Sequence, residues 1–213
     1  MRGSMFQLEN VKFKHILDIP KLTINEGITC LIGASGAGKT TLLKLLNKLY
    51  SPDSGKIYYQ GKNMETIDSV THRREVIMLG QNPIIYEGSV EDNLQMGLRF
   101  SHRTDASQQE LKKVLKQVQL DKPMNASCAG LSGGEKQRLC LARIMLMDGE
   151  VYLLDEPSSA LDQESEAFLI QCLSNFVLKR NKSMIMVTHS MHAVDLLDAH
   201  KIRIAKGNSE VIV

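Results

Sequence analysis

The sequence lacks the features that mark several large functional classes. It carries no strong charge of one sign: 26 lysines and arginines stand against 24 aspartates and glutamates, a net +2, and the two signs are interspersed. That gives no electrostatic case for nucleic acid. Cysteine is scarce. Cys30, Cys128, Cys140 and Cys172 lie far apart and form no CxxC pair, which argues against a disulfide framework or a zinc site and for free thiols in a cytosolic protein. No apolar run approaches the ~20 residues that cross a bilayer, no secretory leader is expected, and there is neither an internal repeat nor a low-complexity linker. The opening "MRGSM" reads as an expression-tag remnant joined to Met5, so residues 1–4 are set apart.

What remains is an ordinary globular composition, 43% hydrophobic and 23% charged, on a chain long enough for one domain. Short apolar runs recur: "ITCLIG" at 28–33, "VIMLG" at 76–80, "VYLLDE" at 151–156 and "MIMVTH" at 184–189. Apolar throughout rather than alternating, they predict buried parallel strands. Helical patterns lie between them, in "TTLLKLLNKLY" and in residues 163–180, where Phe168, Leu169, Cys172, Leu173 and Phe176 fall at three-and-four spacing. The fold class is therefore α/β with a parallel sheet. "GKIYYQGK" at 55–62 is expected to join residues 5–13 in a small antiparallel sheet. Residues 88–150 hold no convincing buried strand, and Leu111, Val114, Leu115 and Val118 form one helical stripe. The expected division is a core of residues 5–82 and 151–213, carrying the small sheet, with a helical lobe of residues 83–150 inserted. Met78, Met184 and Met186, in predicted strands, read as core filling rather than metal ligands.

"GASGAGKT" at 33–40 fits G-x-x-x-x-G-K-[ST] after a predicted strand and before a helix. In such a loop backbone amides cradle phosphates, Lys39 reaches the β and γ phosphates, and the Thr40 hydroxyl is placed to ligate Mg²⁺. "VYLLDE" ends in two adjacent carboxylates on alternate sides of a strand: Asp155 to hold Mg²⁺ or its waters and Glu156 to polarise an attacking water. Gln81 and His189 end two further strands, and ligands sit beyond the carboxyl ends of parallel strands. Both are expected at the same nucleotide.

"LSGGEKQR" at 131–138 is a second glycine turn opening a helix, hence a second anion site, about 90 residues from the first and in the other lobe. From there it is expected to face the nucleotide of another copy. Its plainer reading is a capping box, with Ser132 the cap and Glu135 three residues on. The two readings are compatible.

With "GASGAGKT", Gln81, "LSGGEKQR", "VYLLDEPSSALD" and His189 in this order, residues 5–213 resemble the ATP-binding subunit of ABC transporters, a P-loop NTPase of RecA-like fold. "YSPDSGKIYYQGK" and "YEGSVEDNL" are similar to further segments of that family. The short length and "QNPIIYEGSVEDNL" are most similar to small stand-alone subunits associated with iron or metal export. The resemblance implies that Gly33, Ala34, Ser35, Gly36, Ala37, Gly38, Lys39, Thr40 and Thr41 hold ATP, that Thr40, Gln81 and Asp155 serve Mg²⁺, and that Glu156, His189, Lys39 and Gln81 act in hydrolysis. It also implies that Ser132, Gly133, Gly134 and Asp162, the last in the "SALD" loop from Ser159, complete the site across a head-to-tail homodimer. His15, in "VKFKH", stands where the family has an adenine-stacking aromatic, with Phe13 as the alternative. The implied partners are a second copy and a separate integral membrane permease, and the implied location is the cytoplasmic face of the membrane. Soluble relatives acting on DNA insert long coiled coils between the two glycine motifs, and translation factors carry two cassettes. Neither pattern is present.

Overall fold

The structure, a computed structural model, describes residues 3–159, 161–205 and 208–212. Strands β1 (Ser4–Phe13) and β2 (Leu17–Asn25) form a hairpin, and β3 (Ile28–Ile32) runs into a glycine loop and helix α1 (Lys39–Leu46). Next come β4 (Ser54–Tyr59), β5 (Lys62–Asn63), α2 (Ser69–Glu75) and β6 (Val76–Leu79). Three helices follow without an intervening strand: α3 (Val90–Phe100), α4 (Gln108–Gln117) and α5 (Gly133–Leu146). The chain then returns through β7 (Val151–Asp155), α6 (Gln163–Lys179), β8 (Ser183–Val187), α7 (Met191–Asp195), β9 (His200–Ala205) and β10 (Asn208–Ile212).

The large sheet has the order β10-β9-β3-β8-β7-β6, parallel except for β10 against β9. Its four predicted strands are all present, and the reason they are apolar throughout is visible in the packing. Successive side chains enter opposite faces, and each face meets its own core. Tyr152, Leu154, Met184 and Met186 enter a core shared with α5 and α6. Val151, Leu153, Ile185 and Val187 enter a second, shared with α1 and the small sheet. Tyr152 is the one polar residue among these, and its hydroxyl accepts the buried Gly149 N–H at 3.0 Å.

The small sheet, β2-β1-β4-β5, is antiparallel, with β1 paired to β4 as expected. Its pairing begins ahead of Met5, since Ser4 lies opposite Asn25; Met1 and Arg2 lie outside the described residues. β2 has no counterpart among the predicted strands. It holds Pro20, which reads as a strand breaker, and β2 tolerates it because it is an edge strand. Helix α1 closes this core by burying Leu42, Leu43, Leu45 and Leu46 completely or nearly so, each worth ~1.5–3 kcal/mol.

The three helices between β6 and β7 open alike. Ser89 with Asp92, Ser107 with Glu110 and Ser132 with Glu135 each form a reciprocal capping box, satisfying two otherwise orphaned N–H donors. Arg143 of α5 ties the segment together: it donates to the carbonyls of Asn93 (2.7 Å) and Ile84 (2.8 Å) and to Asn93 Oδ1 (2.8 Å). Among the described residues no helix is long and apolar enough to cross a membrane.

Candidate active site

The loop between β3 and α1 is shaped by glycines that nothing else could replace. Gly33 has φ +144°, and a Cβ there would lie 2.2 Å from the Ile204 carbonyl oxygen. Gly38 caps α1 in the left-handed region at φ 100° without any side-chain cap, which leaves the first amides of α1 facing outward with the positive end of the helix dipole. Lys39 is 5% exposed, and its ammonium donates to the Gly33 and Ala34 carbonyls, each at 2.8 Å. Burial lowers its pKa, an effect opposed by Glu156 and Asp155. The Thr40 hydroxyl donates to Asp155 Oδ1 at 3.1 Å. Asp155, 3% exposed at the end of β7, has its pKa raised chiefly by burial, against the Thr40 hydrogen bond.

Glu156 follows in the left-handed region at φ 50°, which costs a residue with a Cβ roughly 1–2 kcal/mol. Its backbone is fixed on both sides: the N–H donates to Val187 O at 2.9 Å, and the carbonyl accepts from Ser159 N at 3.2 Å and from Gln137 Nε2 at 3.1 Å. This bend turns the carboxylate between two strand-end side chains. Gln81 Nε2 donates to Glu156 Oε2 at 2.9 Å, and His189 Nε2 lies 3.2 Å from Oε1. The three lie past the ends of β6, β7 and β8, side by side in the sheet. They share an open cleft of about 350 Å³ with Ser35, Gly36, Gly38, Lys39, Thr40 and Thr41. Gly33, Ala34 and Ala37 belong to the same loop but not to the cleft lining, and Lys39 holds the carbonyls of the first two.

Other candidate residues lie elsewhere. His15 is exposed in the turn between β1 and β2; from that turn it is Ile16 that lines the cleft. Phe13 is buried with its ring stacked on Tyr50 at 5.1 Å and 10°. Ser132 caps α5 with Gly133 and Gly134 in its first turn, outside the cleft lining. Glu135 of that cap pairs with Lys122 at 2.8 Å, and Lys122 together with the Ser132 hydrogen bonds pulls its pKa down to about 2. Asp162 caps α6 through Ser165 N at 2.9 Å, and this bond holds its carboxyl below the usual range. Ala160, in the same "SALD" loop, lies outside the described residues.

Three contributors have no signal in the sequence. Ile16 enters the cleft only because a tight turn folds it over Gly38. Gln137, 2% exposed, looks like any polar residue of a helix until its bond to Glu156 is seen. Glu166 bonds two hydroxyls beside the site. A second concavity, about 470 Å³ between the sheet domain and the helical segment, is lined by Leu49, Ile84, Phe100 and Arg143 among others. Ile84 is 65% and Phe100 63% exposed there.

Comparison with known proteins agrees with this geometry. The ABC transporter family profile matches residues 17–159. The phosphate import ATP-binding protein PstB 1 of Enterococcus faecalis is 37% identical over 80% of this chain and 72% of its own length. ABC multidrug transporter E of Aspergillus fumigatus is 30% identical over 93% of this chain but only 17% of its own. Several relatives are of this long kind, and the chain spans about a sixth of their length. A solved structure of a bacterial Atm1-family ABC exporter with ATP bound superposes with a TM-score of 0.86, covering 98% of this chain and 38% of that one. At 23% identity that likeness speaks for the fold. A phosphate loop backed by paired carboxylates, in a chain whose sequence matches this profile and these relatives, identifies it as a member of the ABC transporter family, an ATP-binding ATPase domain.

Proposed function

We propose that this chain hydrolyses ATP at the interface of a head-to-tail pair of copies and drives transport through a separate membrane-spanning partner. The observation that carries the reading is the placement of the two glycine turns. Gln81, Glu156 and His189 gather at the first, whereas the second, Ser132–Gly134, opens an exposed helix end outside that cleft. In this reading the loop amides and Lys39 bind the phosphates of ATP, and Lys39 exchanges the two carbonyls it now holds for phosphate oxygens. The adenine is assigned to the turn carrying His15 and Ile16.

The oxygen donors fit Mg²⁺. Thr40 and Asp155 stand within hydrogen-bonding distance of each other, one of them is a carboxylate whose burial a cation would offset, and Gln81 keeps its oxygen free because its nitrogen is spent on Glu156. Bound there, Mg²⁺ would neutralise charge on the β and γ phosphates. Glu156, held in its bend, polarises the attacking water, and His189 and Gln81 position the carboxylate and the γ-phosphate. Ser132, Gly133, Gly134 and Asp162 of a second copy close the site, a twofold arrangement that generates two equal sites and excludes bulk water. The apolar groove around Ile84 and Phe100 is assigned to the permease, with the chain on the cytoplasmic face of the membrane in this reading. No transported substrate follows: the relatives' names speak of multidrug transport in one and phosphate import in another.

Glu156→Gln keeps the size of the side chain and removes its basicity. With Mg-ATP it is expected to accumulate as an ATP-bound dimer on size-exclusion chromatography. A variant that stays monomeric at high concentration would remove the shared-site reading.

A further inference from the structure

Glu166, one turn into α6, touches no part of the cleft, yet both its carboxylate oxygens are engaged. The Ser158 hydroxyl donates to Oε1 at 2.7 Å, and the Ser190 hydroxyl donates to Oε2 at 2.7 Å. These are short, charge-assisted bonds, and their donors lie in the two loops that flank the site. Ser158 is 5% exposed and stands two residues after Glu156, at the entrance to the Ser159–Asp162 loop. Ser190 follows His189 directly and caps α7 by accepting the Ala193 N–H at 3.1 Å. Its own N–H donates to Thr188 Oγ1 at 3.0 Å, so His189 is held between two residues that are themselves hydrogen-bonded together.

The loop also reaches Glu166 from its other end. Asp162 caps α6, and Glu166 N donates to the Asp162 carbonyl at 2.8 Å, closing the first helical turn. Ser158 and Asp162 therefore bracket the loop, Ser158 held by the Glu166 carboxylate and Asp162 by the Glu166 backbone N–H in the ordinary first bond of α6. The carboxylate ties Ser158, at the entrance of that loop, to Ser190 and so to His189, whose ring lies 3.2 Å from Glu156.

We propose that Glu166 is a positioning residue that locks Ser158, at the loop's entrance, to the His189 loop, so that contact of a second copy near Asp162 sets the aim of His189 in both nucleotide sites. The proposal rests on the two-copy reading above. It assigns to α6 a role beyond packing: the relay from interface to catalytic cleft runs through one carboxylate and two hydroxyls.

The test compares Mg-ATP hydrolysis by the full chain carrying Glu166→Leu, Glu166→Gln and Ser158→Ala. Leu keeps the bulk and has no polar atom; it should lower kcat at least about tenfold while KM stays within about twofold. Gln can accept from one serine and donate to the other, so it should recover kcat to within about threefold of the wild type. Ser158→Ala should lower kcat in the wild-type background and do nothing further in Glu166→Leu, the non-additivity expected of one linked network. Equal losses in Leu and Gln, multiplicative losses in the double variant, or a Glu166→Leu enzyme within twofold of wild type would each overturn the proposal. If Glu166→Leu does not fold, Ser158→Ala decides alone: its kcat falls with KM unchanged, or the proposal fails. A parallel Glu156→Gln sample tells the two ideas apart. If it fails to dimerise, the two-copy reading falls; if it dimerises while the Glu166 and Ser158 variants behave as wild type, only the relay does.

Discussion

At the scale of residues, the site is assembled from groups that folding alone would not favour. Glu156 sits in a left-handed conformation, and Asp155 is a buried carboxylate that accepts from the Thr40 hydroxyl. Burial costs its ionised form more than the Thr40 hydrogen bond and the charges of Lys44 and Lys39 return. Asp155→Asn keeps the oxygen that accepts from Thr40 and removes the charge. Without Mg²⁺ and nucleotide it should melt about 2–4 °C above the wild type, the shift that ~1 kcal/mol gives a domain of this size, while Mg-dependent hydrolysis is lost. A lower melting temperature would mean that the carboxylate is stabilising where it stands. The sequence disclosed these two acids because motif and strand end coincide. It disclosed nothing of Gln137 or Glu166, whose roles depend on which backbone passes beside them after folding.

At the scale of elements, what a strand or helix buries decides how readable it is. Strands β3, β6, β7 and β8 could be read because both faces of the sheet are covered there, making most positions apolar. β2 and β9 alternate buried and exposed residues over short spans, and the proline in β2 hides an edge strand. The cap of α5 was readable because a serine and an acid three residues apart suffice to make one, and the same pattern caps α3 and α4. The cap of α5 has a measurable pH signature. Folding lowers the Glu135 pKa from 4.5 to about 2, so between those values the unfolded chain binds more protons and stability rises with pH. The contribution is complete above pH 4.5 and is lost as pH falls toward about 2. In urea unfolding, Glu135→Gln should be less stable than wild type at neutral pH, and the gap should close through that window. A gap independent of pH would mean the carboxylate is not ionised in its cap.

At the scale of the whole molecule, the two glycine turns make a prediction about stoichiometry. Ser132→Arg should abolish hydrolysis while leaving ATP binding by the single chain nearly intact, because in this reading it damages the half-site lent to a partner. Lys39→Ala damages the half-site kept. Each alone should be inactive, but a mixed pair holds one intact composite site. Equal mixtures should thus regain up to about a quarter of wild-type turnover by random pairing of a twofold assembly. Mixtures as inactive as their components would argue for sites completed within one chain. The fold class and the nucleotide loop were legible from the sequence, since local pattern determines them. The turn that carries Ile16 into the cleft was not, because it is set by packing against Gly38.

The double core of the large sheet bears on how the site stays in place. A strand whose two faces are both greasy has little to stop it sliding by one residue along its neighbours, since every side chain would still find an apolar home. In β7 such a slip would carry Tyr152 across the sheet, moving its phenol from the core shared with α5 and α6 into the one shared with α1, whose facing side chains in β7 and β8 are aliphatic. It would also exchange the directions of Asp155 and Glu156, sending the bend that aims Glu156 to the wrong face. One phenol, three residues before Asp155, thus favours the alignment on which the chemistry at the end of its strand depends.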